Sequence, residues 1–341
     1  MDSPYSPLEF ALLNGWQRDF PIVAHPFAEI GRRVMRSGIH ADGADETAVL
    51  ATLRRLQARG AISRVGAVVA PRRVGASTLA ALAAPPQRIE EIAAQVSARP
   101  EVNHNYQREH RYNLWFVATA ADQAALAAVL AAIEVDTGCP VIALPLENEF
   151  HIDLGFDLGS GHKSVSPVAS FAARQPDEEQ KRLIAALQPG LEIMPRPFRQ
   201  LGETIFMPEE EVLARITAMI DEGMIKRFGI VVRHHELGYR SNAMVVFDLD
   251  DDAVDGIGAR LAAEPGVTLC YRRRRSLPEW NYNLYCMVHG RSREEAQPVI
   301  DRLAGLAGQP ATVLFSTRRF KQCGARYFDE TVARRHADAH A

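Results

Sequence analysis

Two stretches of the chain concentrate side chains that can do chemistry. The first, NHNYQREHRYNLWF (Asn103 to Phe116), carries His104 and His110 six residues apart, with Tyr106, Arg108, Arg111 and Tyr112 among them. The second, CYRRRRSLPEWNYNLY (Cys270 to Tyr285), carries four consecutive arginines, Arg272, Arg273, Arg274 and Arg275. Arg318, Arg319 and Lys321 add a further basic cluster. A guanidinium fork binds a carboxylate through two parallel hydrogen bonds. Imidazole, with an unperturbed pKa of about 6.5, exchanges protons near neutral pH. Together these types suit a substrate rich in carboxylates and a step that moves a proton. Each also has a plainer reading. An arginine run can be a solvated edge strand, in which alternation sends at most two of the four to one face, and a histidine in a strand can simply be packed.

The elements that must hold these residues are written twice. Pro26-Phe27 recurs as Pro197-Phe198, and VLATLRRLQARGAISRVGAVV (Val49 to Val69) recurs as VLARITAMIDEGMIKRFGIVV (Val212 to Val232). Tyr106 matches Tyr271, and Tyr112-Asn113-Leu114 matches Tyr282-Asn283-Leu284. Self-similarity of this kind means two homologous halves joined end to end. Each half opens with helices. The last is expected from Asp45 to Ala58 and from Pro208 to Glu222, stopping at Gly60 and Gly223 as a C-terminal cap would. A strand follows in each, at Val65–Ala70 and Phe228–Val232. The remainder of the second half reads as strand Asn242–Asp248, helix Asp252–Ala263, strands Val267–Arg272 and Asn281–Val288, helix Ser292–Gly305 and strand Thr312–Ser316. That order, βαββαβ, is ferredoxin-like.

The expected fold class is therefore α+β, a tandem repeat of winged helix-turn-helix plus ferredoxin-like units. Helix-turn-helix-like domains are expected at 1–62 and 177–227, and ferredoxin-like domains at 63–158 and 228–328. A Gly-, Ser- and Pro-rich linker falls at 159–176 and a tail at 329–341. Composition agrees with a globular chain, 47% hydrophobic and 24% charged over 341 residues. The four cysteines, Cys139, Cys270, Cys286 and Cys323, form no C-x-x-C pair, so no metal site is expected in the protein itself. No apolar run approaches the roughly 20 residues of a membrane helix, and MDSPYSPLEF has neither a basic n-region nor an apolar h-region. A cytoplasmic protein is expected.

A helix-turn-helix unit followed by a ferredoxin-like unit resembles the Lrp/AsnC transcription regulators. Yet a recognition helix should offer basic and amide groups to DNA, whereas these begin with Asp45 and Glu46, and with Glu209, Glu210 and Glu211. With a net charge of −3, nucleic acid is not the expected partner. The histidine segment is more specific. H-N-Y-x-R-x-H-x-Y-N-L-W-F resembles the signature of the siroheme decarboxylases, Lrp-like enzymes of alternative haem and haem d1 biosynthesis. FHIDLGFDL (Phe150 to Leu158) and LFSTRRFKQCGARY (Leu314 to Tyr327) also look like that family's endings. The resemblance runs from about Asn14 to Tyr327 and suggests a fusion of two subunit types.

The resemblance implies siroheme as substrate, an iron isobacteriochlorin with eight carboxylates. Two acetate arms, at C12 and C18, lose CO2 and become methyls. No further cofactor is implied. Loss of CO2 leaves carbanion character beside the pyrrole, which His104 and His110 are expected to quench with a proton. The rival role for either is ligation of the siroheme iron. Tyr106, Arg108, Arg111, Tyr112, Arg272 to Arg275, Arg318, Arg319 and Lys321 are the expected substrate-binding residues. The halves are unequal. Leu269 aligns with His104, an arginine or the inserted Ser276 lies opposite His110, and Asn148, Glu149 and His151 stand opposite the Arg318 cluster. Expected partners are a second copy or a related decarboxylase protein, with no membrane. The alternative is an Lrp/AsnC-like regulator sensing a tetrapyrrole or an amino acid.

Overall fold

The computed structural model describes residues 5–38, 43–152, 175–233 and 241–328. The tail and nearly all of the expected linker lie outside them. The first half runs α1 (Pro7–Gly15), α2 (Pro26–Arg36), α3 (Glu46–Ala58), β1 (Ile62–Val69), α4 (Pro71–Val74), β2 (Ala76–Leu82), α5 (Ile89–Ala98), β3 (Val102–Arg108), β4 (Leu114–Ala120), α6 (Gln123–Thr137) and β5 (Val141–Ile152). The second half repeats it: α7 (Glu178–Leu187), α8 (Pro197–Ile205), α9 (Glu209–Asp221), β6 (Ile225–Val232), β7 (Ser241–Phe247), α10 (Val254–Ala263), β8 (Val267–Arg273), β9 (Leu284–Gly290), α11 (Arg293–Ala307) and β10 (Thr312–Gln322).

Local chemistry sets the helix ends. Ser6 and Asp177 each close a capping box on the first helix of their half. The repeated Pro-Phe pair opens α2 and α8, with proline where a missing N–H costs nothing and with Phe27 and Phe198 fully buried. The expected stops hold. Gly60 and Gly223 take φ of +77° and +72°, which side chains with a Cβ resist. The next residue closes the turn in each copy, Ala61 N–H on Leu56 O at 3.0 Å and Met224 N–H on Met219 O at 2.9 Å.

The halves are interleaved. β1 and β6 pair antiparallel into a ribbon, with Gly66 facing Gly229. Helices of both halves pack on that ribbon around one apolar core that includes Leu12, Leu53, Leu183 and Ile216. The two ferredoxin-like sheets join at both edges into a closed eight-stranded barrel, ordered β10-β3-β4-β2-β5-β8-β9-β7. In each sheet the fourth strand reaches across to the second strand of the other, β5 to β8 and β10 to β3. No free edge is left in the barrel. Helices α5 and α6, and α10 and α11, cover its outside over separate cores. Trp115, Trp280, Tyr112 and Leu144 fill part of its inside.

Several boundaries differ from expectation: β1 and β6 each start three residues early, at Ile62 and Ile225, and two further differences have a clear physical cause. β10 runs six residues past Ser316, to Gln322, because its second part pairs with β3 of the other half. No pattern inside one half signals that partner. β9 starts at Leu284 rather than Asn281 because Asn283 uses its side chain as a false strand. Its amide accepts from Leu249 N–H at 3.0 Å and donates to Leu249 O at 2.9 Å. Asn113 does the same with both backbone groups of Ala84. Among the described residues, no helix is long and apolar enough to cross a membrane.

Candidate active site

A cavity of about 1090 Å³ lies between the ribbon and the barrel, above the usual range of roughly 300–1,000 Å³ for small-molecule sites. Every barrel strand and both ribbon strands contribute to its wall, so each half supplies part of it. Equivalent side chains recur across the pseudo-two-fold axis: Tyr106 and Arg108 from β3, Tyr271 and Arg273 from β8.

The two arginines carry the electrostatics. Arg108 Nη1 donates to Leu314 O at 2.9 Å, and Arg273 Nη1 donates to Leu144 O at 3.0 Å, the same bond in each half. Their guanidinium carbons lie 5.8 Å from the Tyr106 ring and 5.1 Å from the Tyr271 ring. The Nε of each is buried with no hydrogen-bond partner. Neither guanidinium meets a carboxylate among the described residues. Burial pushes Arg108 down to about 10 and lowers Arg273 as well. A buried, unpaired cation costs several kcal/mol, and an anion entering the cavity relieves that cost. By contrast, Lys226 is already neutralised, its Nζ 2.6 and 2.5 Å from the carboxylate oxygens of Glu149.

His104 sits on the same wall with its tautomer fixed. The Thr119 hydroxyl donates to Arg326 O at 2.8 Å, so its oxygen is left to accept from Asn103 Nδ2 at 3.5 Å. Asn103 Oδ1 therefore faces His104 Nδ1, 2.5 Å away, and takes its proton. The lone pair is on Nε2. Burial, then the charge of Arg64, lowers the His104 pKa from 6.5 to about 4. The unfolded chain thus binds a proton between about pH 6.5 and 4 that the folded chain refuses, and stability falls as pH is lowered through that window. Urea unfolding at pH 7 and pH 4.5 should show a larger loss for the wild type than for His104→Leu. Equal losses would exclude His104 as the titrating group.

A model described as the siroheme decarboxylase NirDL-like helix-turn-helix domain matches residues 9–62 and 180–226. One described as the AsnC-like ligand binding domain matches 73–151 and 236–321. The siroheme decarboxylase NirDL subunit of Paracoccus denitrificans is 45% identical over 324 residues, 93% of this chain and 96% of that protein. The chain belongs to the siroheme decarboxylase family. The NirD subunit of Pseudomonas aeruginosa is 50% identical over 147 residues, 43% of this chain but 93% of its own length. The family thus includes members that span a single half. The crystal structure of a siroheme decarboxylase NirDL in complex with an iron-uroporphyrin III analogue superposes with a TM-score of 0.69, at 26% identity and 97% coverage of both chains.

The cavity gathers only some of the residues that the sequence singles out. His104, Tyr106, Arg108 and Arg273 line it. His110 does not. Its Nδ1 accepts from Tyr112 N–H at 3.1 Å and its ring meets Trp280 edge-on at 5.3 Å. Tyr112 is packed in the same aromatic group, with Arg111 stacked on it at 4.9 Å and bonded to Glu279 O. The arginine run does not split two and two, because β8 ends at Arg273. Arg273 points in, while Arg272 pairs with Glu147 and Asp255, Arg274 with Glu147, and Arg275 with Asp248 and Asp251. Arg318 pairs with Glu90, Arg319 bonds Gln322, and Lys321 donates to the carbonyls of Ser97 and Arg99.

The cavity also holds residues that the sequence reading missed. Arg64 and Arg227 enter from β1 and β6, with Arg233 just beyond. The signal was present, because Arg64 and Arg227 occupy the same place in the repeated segment. His289 of β9 lines the opposite wall. Among the described residues, no cluster of three or more His, Cys, Asp or Glu could hold a metal ion.

Proposed function

We propose that this chain is a siroheme decarboxylase that removes CO2 from the C12 and C18 acetates of siroheme, leaving methyls, in haem d1 biosynthesis. The observation that carries the reading is the equivalent pair of buried Arg108 and half-buried Arg273, both lining one large cavity with no carboxylate partner among the described residues. A polycarboxylate macrocycle supplies the missing anions, with Arg64 and Arg227 as further cations on the ribbon side. Tyr106 and Tyr271 offer flat faces and phenol groups beside it.

At the reacting acetate, the bond between the methylene carbon and the carboxylate breaks and CO2 departs. The electron pair stays on the methylene carbon, which takes a proton to become methyl. His104 is the group that delivers it. Burial, then the charge of Arg64, favours its neutral form, and substrate carboxylates beside it reverse that bias and favour the imidazolium. Siroheme is the only tetrapyrrole required, with no separate cofactor. A second copy or a related decarboxylase protein is the expected partner, and the cytoplasm the expected location.

The regulator reading fails on α3 and α9. Their first turns carry Glu46 and Glu209 to Glu211, and Arg54 of α3 is committed to Ile193 O of the other half. Anaerobic incubation with siroheme should give a product lighter by two CO2, and no sequence-preferring mobility shift should survive about 150 mM salt. Unchanged siroheme together with such a shift would reverse the assignment.

A further inference from the structure

The pseudo-two-fold axis gives the cavity a second histidine that repeat alignment hides. In each half the pairing of the second and third ferredoxin strands slips by one residue, between Val102 and His104 in β3 and between Val267 and Leu269 in β8. The slipped residues are Asn103 and Thr268, which are equivalent. A bulge of this kind re-aims side chains and is common beside active sites. Asn103 holds the Nδ1 of its chain neighbour, His104. Thr268 holds the Nδ1 of His289, which stands on β9 where Thr119 stands on β4, at 2.8 Å.

The second anchor is oriented as firmly as the first. The Thr268 hydroxyl donates to Met287 O at 3.1 Å, so its oxygen accepts from His289 and sets the hydrogen on Nδ1. Both Thr268 and His289 line the cavity. Each half thus presents one imidazole in the same tautomer, tethered to equivalent bulges but carried on β3 in one half and on β9 in the other. Leu269 at the His104 position does not empty the second half of histidine chemistry; the imidazole has moved one strand over.

Building on the decarboxylase reading, we propose that His289 is the proton donor for the second of the two decarboxylations, His104 serving the first. The two outgoing acetates sit symmetrically about the axis through the bridging carbon between their two rings. One bound macrocycle then offers one acetate to each half without turning over. The chemistry at the second station is the same: the carbon–carboxylate bond breaks, CO2 leaves, and the methylene carbon takes a proton from the imidazolium.

The test is anaerobic turnover of siroheme by the full chain, following product masses with time. Wild type should reach the product lighter by two CO2. His289→Ala should still bind siroheme, lose the first CO2 at the wild-type rate, and stall there, its second step slowed by about 10²–10⁴. Thr268→Val keeps the imidazole but removes its hydroxyl anchor, and should slow only the second step, by less. This variant covers the case in which His289→Ala does not fold. Double decarboxylation at the wild-type rate in both variants, or equal slowing of both steps, would overturn the two-station arrangement while leaving the decarboxylase reading intact. A wild type that leaves siroheme unchanged would instead overturn that reading itself.

Discussion

His104→Ala should slow siroheme decarboxylation by roughly 10²–10⁴, the usual cost of losing a positioned acid or base, while the chain still folds and still binds siroheme. His110→Ala should not. Both histidines belong to the signature, but only His104 reaches the cavity. His110 is wedged among Tyr112, Trp280 and Arg111, so its loss should appear as reduced stability with near-normal turnover by the folded fraction. Stopped-flow single turnovers, normalised to bound siroheme, separate the two effects. Equal losses of turnover would mean that the acid–base assignment is wrong. A shift of the visible bands of siroheme in His104→Ala alone would make that residue an iron ligand instead.

Arg273→Ala should weaken siroheme binding by about 10- to 150-fold, since a hydrogen bond to a charged carboxylate contributes about 1.5–3 kcal/mol. Arg108→Ala should cost a similar amount, because the axis relates the two. Arg272→Ala, Arg274→Ala and Arg275→Ala should each change affinity by about fivefold or less, the scale of ion pairs open to solvent. Those three are held by Glu147, Asp248, Asp251 and Asp255 on the outside of the barrel. Spectroscopic titration of the five variants gives the pattern directly. Four equal, small effects across Arg272 to Arg275 would show that this strand does not bind the substrate, and the carboxylate clamp would then have to be sought at Arg318, Arg319 and Lys321.

The fold was legible in the sequence because the chain repeats itself. Matched Pro-Phe pairs, matched helix-stop glycines and the βαββαβ order are local signals, and each maps to an element in the structure. The site was only half legible. Residue types at 104, 106, 108 and 273 marked the chemistry, but alternation groups Arg275 with Arg273, and only Arg273 lines the cavity because β8 ends there. Which face looks inward depends on closure of two sheets into one barrel, a property of neither half alone. For the same reason the Arg318 cluster, attractive by composition, lies on the part of β10 that crosses to the other half, with its cations on Glu90, Gln322 and backbone carbonyls. His289 was missed because alignment compares equivalent positions, and here equivalent function lies on adjacent strands.

The most direct measurement is a crystal structure of the chain with siroheme, grown without oxygen. The macrocycle should lie between the β1–β6 ribbon and the barrel, with carboxylates within hydrogen-bond distance of Arg108 and Arg273 and an acetate beside His104. Siroheme bound outside the cavity, against Arg318 and Lys321, with no macrocycle between the ribbon and the barrel, would contradict it.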